Sequence, residues 1–172
     1  QIHSHMNTQR RGLKALLHNN TIYAIGGYNG QFLKSVERST INPDGSLGPW
    51  QTEQHESIID RYIHSAAAHN NTIYLLGGHM RNPNQTSYSD VERTAINLDN
   101  SPGQWQLTTH GLVASRLVAE AVTLGNHLYI AGGHSGGERL ASVEVSPITA
   151  NGRIGPWQTT SPLPTPLSAY AI

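Results

Sequence analysis

Residues 72–78 read Thr72-Ile73-Tyr74-Leu75-Leu76-Gly77-Gly78, and the same design returns twice. It stands at Thr21-Ile22-Tyr23-Ala24-Ile25-Gly26-Gly27 and at His127-Leu128-Tyr129-Ile130-Ala131-Gly132-Gly133. Each copy is a short apolar run rich in β-branched and aromatic residues, which reads as a strand. Each is closed by a glycine pair, which permits backbone conformations and close approaches that a Cβ would block.

Working outward, other residues keep step with the glycines. Arg10, Arg61 and Arg116 each precede the first glycine by 16 residues. Val36-Glu37, Val91-Glu92 and Val143-Glu144 follow it, and 14 residues after each Val comes Trp50, Trp105 or Trp157. The period is 51 to 55 residues. Within each period lie four short apolar runs separated by turn signals. In the second, strand a is expected near Ser65–His69, b at Thr72–Leu76, c near Asp90–Ile96 and d near Gln104–Leu107. The a–b turns at Asn19-Asn20, Asn70-Asn71 and Gly125-Asn126 tolerate positive φ. The c–d turns at Asp44-Gly45 and Asn151-Gly152 are hairpin signals, with Asn100-Ser101 the third. Four antiparallel strands per repeat make one propeller blade.

This pattern resembles the Kelch-repeat family, over residues 10 to 172. The resemblance rests on the glycine pair after strand b, the Tyr within that strand and the spaced Trp. The phrase Asn42-Pro43-Asp44-Gly45-Ser46-Leu47-Gly48-Pro49-Trp50, matched by Thr149-Ala150-Asn151-Gly152-Arg153-Ile154-Gly155-Pro156-Trp157, is similar to the bacterial branch. One departure is strand c, where the family often has Tyr and this chain has Val-Glu-Arg or Val-Glu-Val. The expected fold is all-β: a β-propeller of four-stranded antiparallel blades, here a partial propeller of three. Residues 10–60, 61–115 and 116–164 are the blades. Residues 1–9 are an N-terminal segment, read as a cloning remnant or the end of a preceding blade. Residues 165–172 are the first strand of a further blade, matched as Ser168-Ala169-Tyr170 on Ser65-Ala66-Ala67.

The repeats provide an internal comparison. A residue present in every blade is most simply explained by blade packing, whereas a binding site breaks the symmetry. By that test Gly26, Gly27, Gly77, Gly78, Gly132, Gly133, Trp50, Trp105 and Trp157 are structural, the Trp filling equivalent blade interfaces. Glu37, Glu92 and Glu144 are expected to pair with the repeated Arg, joining strand a to strand c. The asymmetric positions follow the glycine pairs: Tyr28-Asn29-Gly30, His79-Met80-Arg81-Asn82 and His134-Ser135-Gly136-Gly137. They open the b–c loops, of which the second is longest, with its extra length within residues 81–88. In an up-and-down blade this loop and the d–a connection emerge on one face. Tyr28, Asn29, Arg61, His79, Arg81, Arg116, His134 and Ser135 are therefore the candidate ligand-binding residues, around one mouth of the central channel. The resemblance implies the same loop face.

Lys plus Arg and Asp plus Glu balance at 11 each, so no charge footprint for nucleic acid or an anionic membrane appears. No apolar stretch approaches a membrane span. With no cysteine, disulfides and thiolate zinc sites are excluded. So is the cysteine-linked tyrosine copper site of the galactose-oxidase type, another propeller resembling Kelch. The histidines show no metal-binding spacing, and His79 with His134 is a weak pair without a carboxylate. No cofactor is expected. A binding scaffold with a protein or glycan ligand leads. The alternative is a carbohydrate-binding or sugar-acting propeller of the sialic-acid isomerase type, with Asp60 and Glu120 as the nearest acidic groups. Three blades leave blade faces bare, so either two copies close a ring as a homodimer or further blades belong to a longer parent chain.

Overall fold

The computed structural model describes residues 4–82 and 85–169, the side chains of residues 80–86 excepted. It contains three four-stranded antiparallel sheets. Blade 1 comprises β1 (Lys14–His18), β2 (Thr21–Ile25), β3 (Val36–Thr40) and β4 (Gln51–Thr52), paired in sequence order. Blade 2 comprises β5 (Ser65–His69), β6 (Thr72–Leu76), β9 (Val91–Ala95) and β10 (Gln106–Leu107). Its b–c loop folds into a small hairpin of β7 (His79–Asn82) and β8 (Gln85–Ser87). Blade 3 comprises β11 (Glu120–Leu124), β12 (His127–Ala131), β15 (Val143–Pro147) and β16 (Gln158–Thr160), with the hairpin β13 (His134–Ser135) and β14 (Glu138–Arg139) in its b–c loop. The strands fall where the apolar runs predict. The innermost strands β1, β5 and β11 converge on the axis, where Lys14 of blade 1 donates to Glu120 of blade 3 at 2.6 Å.

Each seam between blades has its own apolar core. Tyr23, Ile25 and Val36 of blade 1 pack with Ala66, Ile73, Leu75, Ile96 and Trp105 of blade 2. Tyr74, Leu76 and Val91 of blade 2 pack with Leu128, Ile130, Ile148, Ile154 and Trp157 of blade 3. Trp105 and Trp157 thus each belong to one blade and pack on the blade before it. The tyrosines bridge the other way. Tyr23 Oη donates to the Asn100 carbonyl at 2.7 Å, and Tyr74 Oη to the Gly152 carbonyl at 2.9 Å. Both acceptors lie in the next blade's c–d turn.

A second seam device explains the glycine pair. The Gly27 and Gly78 amides donate to the carbonyls of Arg61 and Arg116, at 2.7 and 2.8 Å. A Cβ on Gly26 would meet the Arg61 carbonyl oxygen at 2.7 Å. The pair is the seat on which the chain enters the next blade. Three residues then carry amide-to-carbonyl bonds around the axis: Ile63 to Gly12, Val118 to Ile63 and Ala169 to Val118, at 2.8, 3.0 and 3.1 Å. All four have positive φ, including the β-branched Ile63 (47°) and Val118 (53°). Such backbone strain persists only where the surroundings over-determine it.

The tail corrects the register read from the sequence. Ala169 takes the place of Ile63 and Val118, and the Gly133 amide donates to Leu167 as its counterparts do to Arg61 and Arg116. Ser168-Ala169 therefore matches Tyr62-Ile63, three residues earlier in the repeat than Ser65-Ala66. Small residues carry too little shape to fix a register. Residues 165–169 contain no strand, and residues 170–172 lie outside the described residues.

Candidate functional site

The repeated Arg and Glu meet inside each blade. Arg10 Nη2 lies 2.6 Å from Glu37, Arg61 Nη2 lies 2.9 Å from Glu92, and Arg116 pairs with Glu144. The pairing joins the d–a connection, just before strand a, to strand c. Each carboxylate also accepts two consecutive backbone amides from that connection: Asn7 and Thr8 on Glu37, Ile58 and Ile59 on Glu92, Val113 and Ala114 on Glu144. Each guanidinium in turn donates to a glycine-pair carbonyl, at Gly26, Gly77 or Gly132. Burial pushes the Arg61 guanidinium below its ordinary value, against the opposing pull of Glu92. Arg61 and Arg116 are fully buried. The staple holds both side chains in the blade wall.

The mouth is built one residue further on. The residue after each Arg bridges, antiparallel, to the residue after each glycine pair. The couples are Arg11 with Tyr28, Tyr62 with His79 and Leu117 with His134. The backbone places these six positions equivalently, and the chain fills them with unlike side chains. At the blade 1–blade 2 boundary they form an aromatic cluster. Tyr28 meets Phe32 edge to face, with ring centroids 5.6 Å apart, and lies 5.6 Å from Tyr62. Phe32 lies 5.8 Å from Tyr62 and 5.5 Å from His79. Arg11 stacks its guanidinium 5.1 Å from the Tyr28 ring centroid. Arg11 is exposed and the four rings are half-buried. His79 Nδ1 is buried without a hydrogen bond among the described residues.

The blade 2–blade 3 boundary is different. Ser87 Oγ donates to Ser115 Oγ at 3.0 Å, and Ser115 and Ser135 hydroxyls lie 3.2 Å apart. This hydroxyl row has His134 half-buried in the same loop. Asn29 is exposed at the tip of the first loop, its side-chain Oδ1 accepting from the Gln31 backbone amide. The Arg81 side chain lies outside the described residues.

Sequence reading named Tyr28, His79, His134 and Ser135 but missed Arg11, Phe32, Tyr62 and Ser115. The signal for two of them was available. Arg11, Tyr62 and Leu117 follow the invariant Arg and are as unlike as Tyr28, His79 and His134. Phe32 carried no repeat signal.

These blades, with their glycine seats and spaced Trp, define a segment of β-propeller. Residues 9–38 and 119–145, the opening halves of blades 1 and 3, match the Kelch motif. The chain thus carries Kelch motifs within a β-propeller fold. Among solved structures, that of YjhT matches with a TM-score of 0.73 over 96% of this chain at 13% identity, a likeness of fold. This chain spans 59% of the length of that one. No curated protein matches it.

Proposed function

We propose that this protein is a recognition module that binds a partner at the mouth formed by its b–c loops and d–a connections. The observation that carries the reading is the contrast between equivalent backbone positions and unlike side chains. Packing demands recur in all three blades as the same Arg–Glu staple, glycine seat and Trp position. The mouth positions carry no such shared demand, yet hold a contiguous aromatic cluster beside an exposed Arg11. Half-buried aromatic rings and arginine are the groups that dominate binding energy at interfaces.

A protein ligand is the first reading, with a peptide segment laid over Tyr28 and Tyr62. A glycan is the second, favoured by the hydroxyl row of Ser87, Ser115 and Ser135. Sugars combine an apolar face, suited to the rings, with hydroxyls suited to the serines. A sugar-acting enzyme would use Glu120, which already holds Lys14 across the axis. Further blades or a second copy would complete the ring.

The test screens the protein against a displayed peptide library and a glycan array. Ligands recovered by the wild type should lose at least tenfold in affinity with Tyr62→Ala or Tyr28→Ala. Those variants should melt close to the wild type. Ligands that bind both variants as well as the wild type would place recognition elsewhere.

A further inference from the structure

We infer that the outer face of blade 3 is a docking surface for a further blade of the same class, and that this blade carries no glutamate at the strand-c position of the first three. The two sealed seams state what such a face requires. Blades 1 and 2 each offer the next blade a tyrosine hydroxyl for a c–d turn carbonyl. Each adds an arginine: Arg38 to the Asp99 carbonyl at 2.6 Å and Arg93 to the Asn151 carbonyl at 3.3 Å. Each offers a glycine seat for the entering chain. Blade 3 keeps the tyrosine and the glycine seat, with Val145 where Arg38 and Arg93 stand. Tyr129 is half-buried where Tyr23 and Tyr74 are 0% exposed, and Val122 is 39% exposed.

The choice of occupant follows from the seat. Leu167 already fills it, accepting from the Gly133 amide at 2.8 Å, and Ala169 extends the axial hydrogen-bond series. A second copy bringing its own Arg10 segment would have to expel this tail. The chain itself thus enters the fourth blade.

The fourth entry differs in chemistry. Leu167 stands where Arg10, Arg61 and Arg116 stand, and Pro164 where Asn7, Ile58 and Val113 donate an amide. Two of the three groups that hold each carboxylate are therefore gone at once. A glutamate buried there would lose its guanidinium and one of its two amides, an uncompensated charge. A neutral residue suits the site.

The register allows a direct test. Ile172 corresponds to Ala15, so the full chain can be followed by a second copy of residues 16–60. Two such extended chains are compared, one with the appended copy unchanged and one with its Glu37→Gln. Both should remain monomeric. Hydroxyl-radical labelling of Tyr129 should fall severalfold from its level in the parent chain. The Gln version should unfold several degrees above the Glu version. Unchanged Tyr129 labelling in both, including through failure of the added blade to fold, would overturn the docking surface. Equal or greater stability of the Glu version would overturn the neutral position. Disulfide trapping on the parent chain tests the other occupant. An efficient intermolecular bond between Tyr129→Cys and Gly45→Cys variants would assign the face to a second copy instead.

Discussion

The two seams and the two outer faces of this molecule are built from the same residues and differ in what lies against them. Trp105 and Trp157 are 6% and 7% exposed, whereas Trp50, at the same place in blade 1, is only half-buried. Tyr23 and Tyr74 are sealed and bonded to the next blade, whereas Tyr129 is not sealed. Ile73 and Leu128 are 0% exposed, and their counterpart Ile22 is half-buried. Burial here is a property of the repeat array more than of the blade. A blade folds its own strands but seals its faces only against neighbours, as expected where each repeat contacts only those beside it.

The largest effect that would break this comparison is at the staple, the device shared by all blades regardless of neighbours. Glu92→Gln leaves Arg61 buried without its charge partner and should cost about 3–5 kcal/mol, read from urea unfolding. An unchanged midpoint would remove the staple from the account. His64 tests the axis. Its counterparts are Leu13 and Ala119, yet it is buried, and neither ring nitrogen has a partner among the described residues. Burial first, then the Arg61 and Lys14 charges, pushes its pKa from 6.5 down to about 3. The unfolded chain therefore takes up a proton that the folded chain refuses. Stability is complete above about 6.5 and falls with pH below that, by up to ~1.4 kcal/mol per unit. His64→Leu should flatten that part of the acid slope, and a slope unaltered by the substitution would contradict the assignment. The smallest effect separates seam from face most cleanly. Tyr74→Phe removes a buried bond and should cost about 1 kcal/mol, while Tyr129→Phe should be neutral. Equal costs would mean that the two tyrosines share one environment.

Much of the fold was legible in the sequence because its devices repeat. Glycine pairs, Trp and the Arg and Glu columns all mark fixed geometry, and the pairing of Arg with Glu followed from one of each per repeat. The positive-φ residues on the axis left no trace, since Ile63 and Val118 are residue types that resist that conformation. Only the seat and the axial hydrogen bonds impose it. The mouth was half legible. Loop residues after the glycines stood out by their asymmetry, but their bridge to Arg11 and Tyr62 is a product of the blade-to-blade crossing. Arg61 and Arg116 were read as mouth residues from their place in the chain; in the structure both are buried and pair with Glu92 and Glu144.

The central claim is that equivalent residues are sealed by a neighbouring blade and bare without one, and the chain's three Trp measure it directly. Single-Trp proteins retaining Trp50, Trp105 or Trp157, with the others changed to Phe, would be titrated with acrylamide and their fluorescence quenching compared. The account predicts severalfold stronger quenching for Trp50 than for the other two. Equal quenching at all three positions would contradict it.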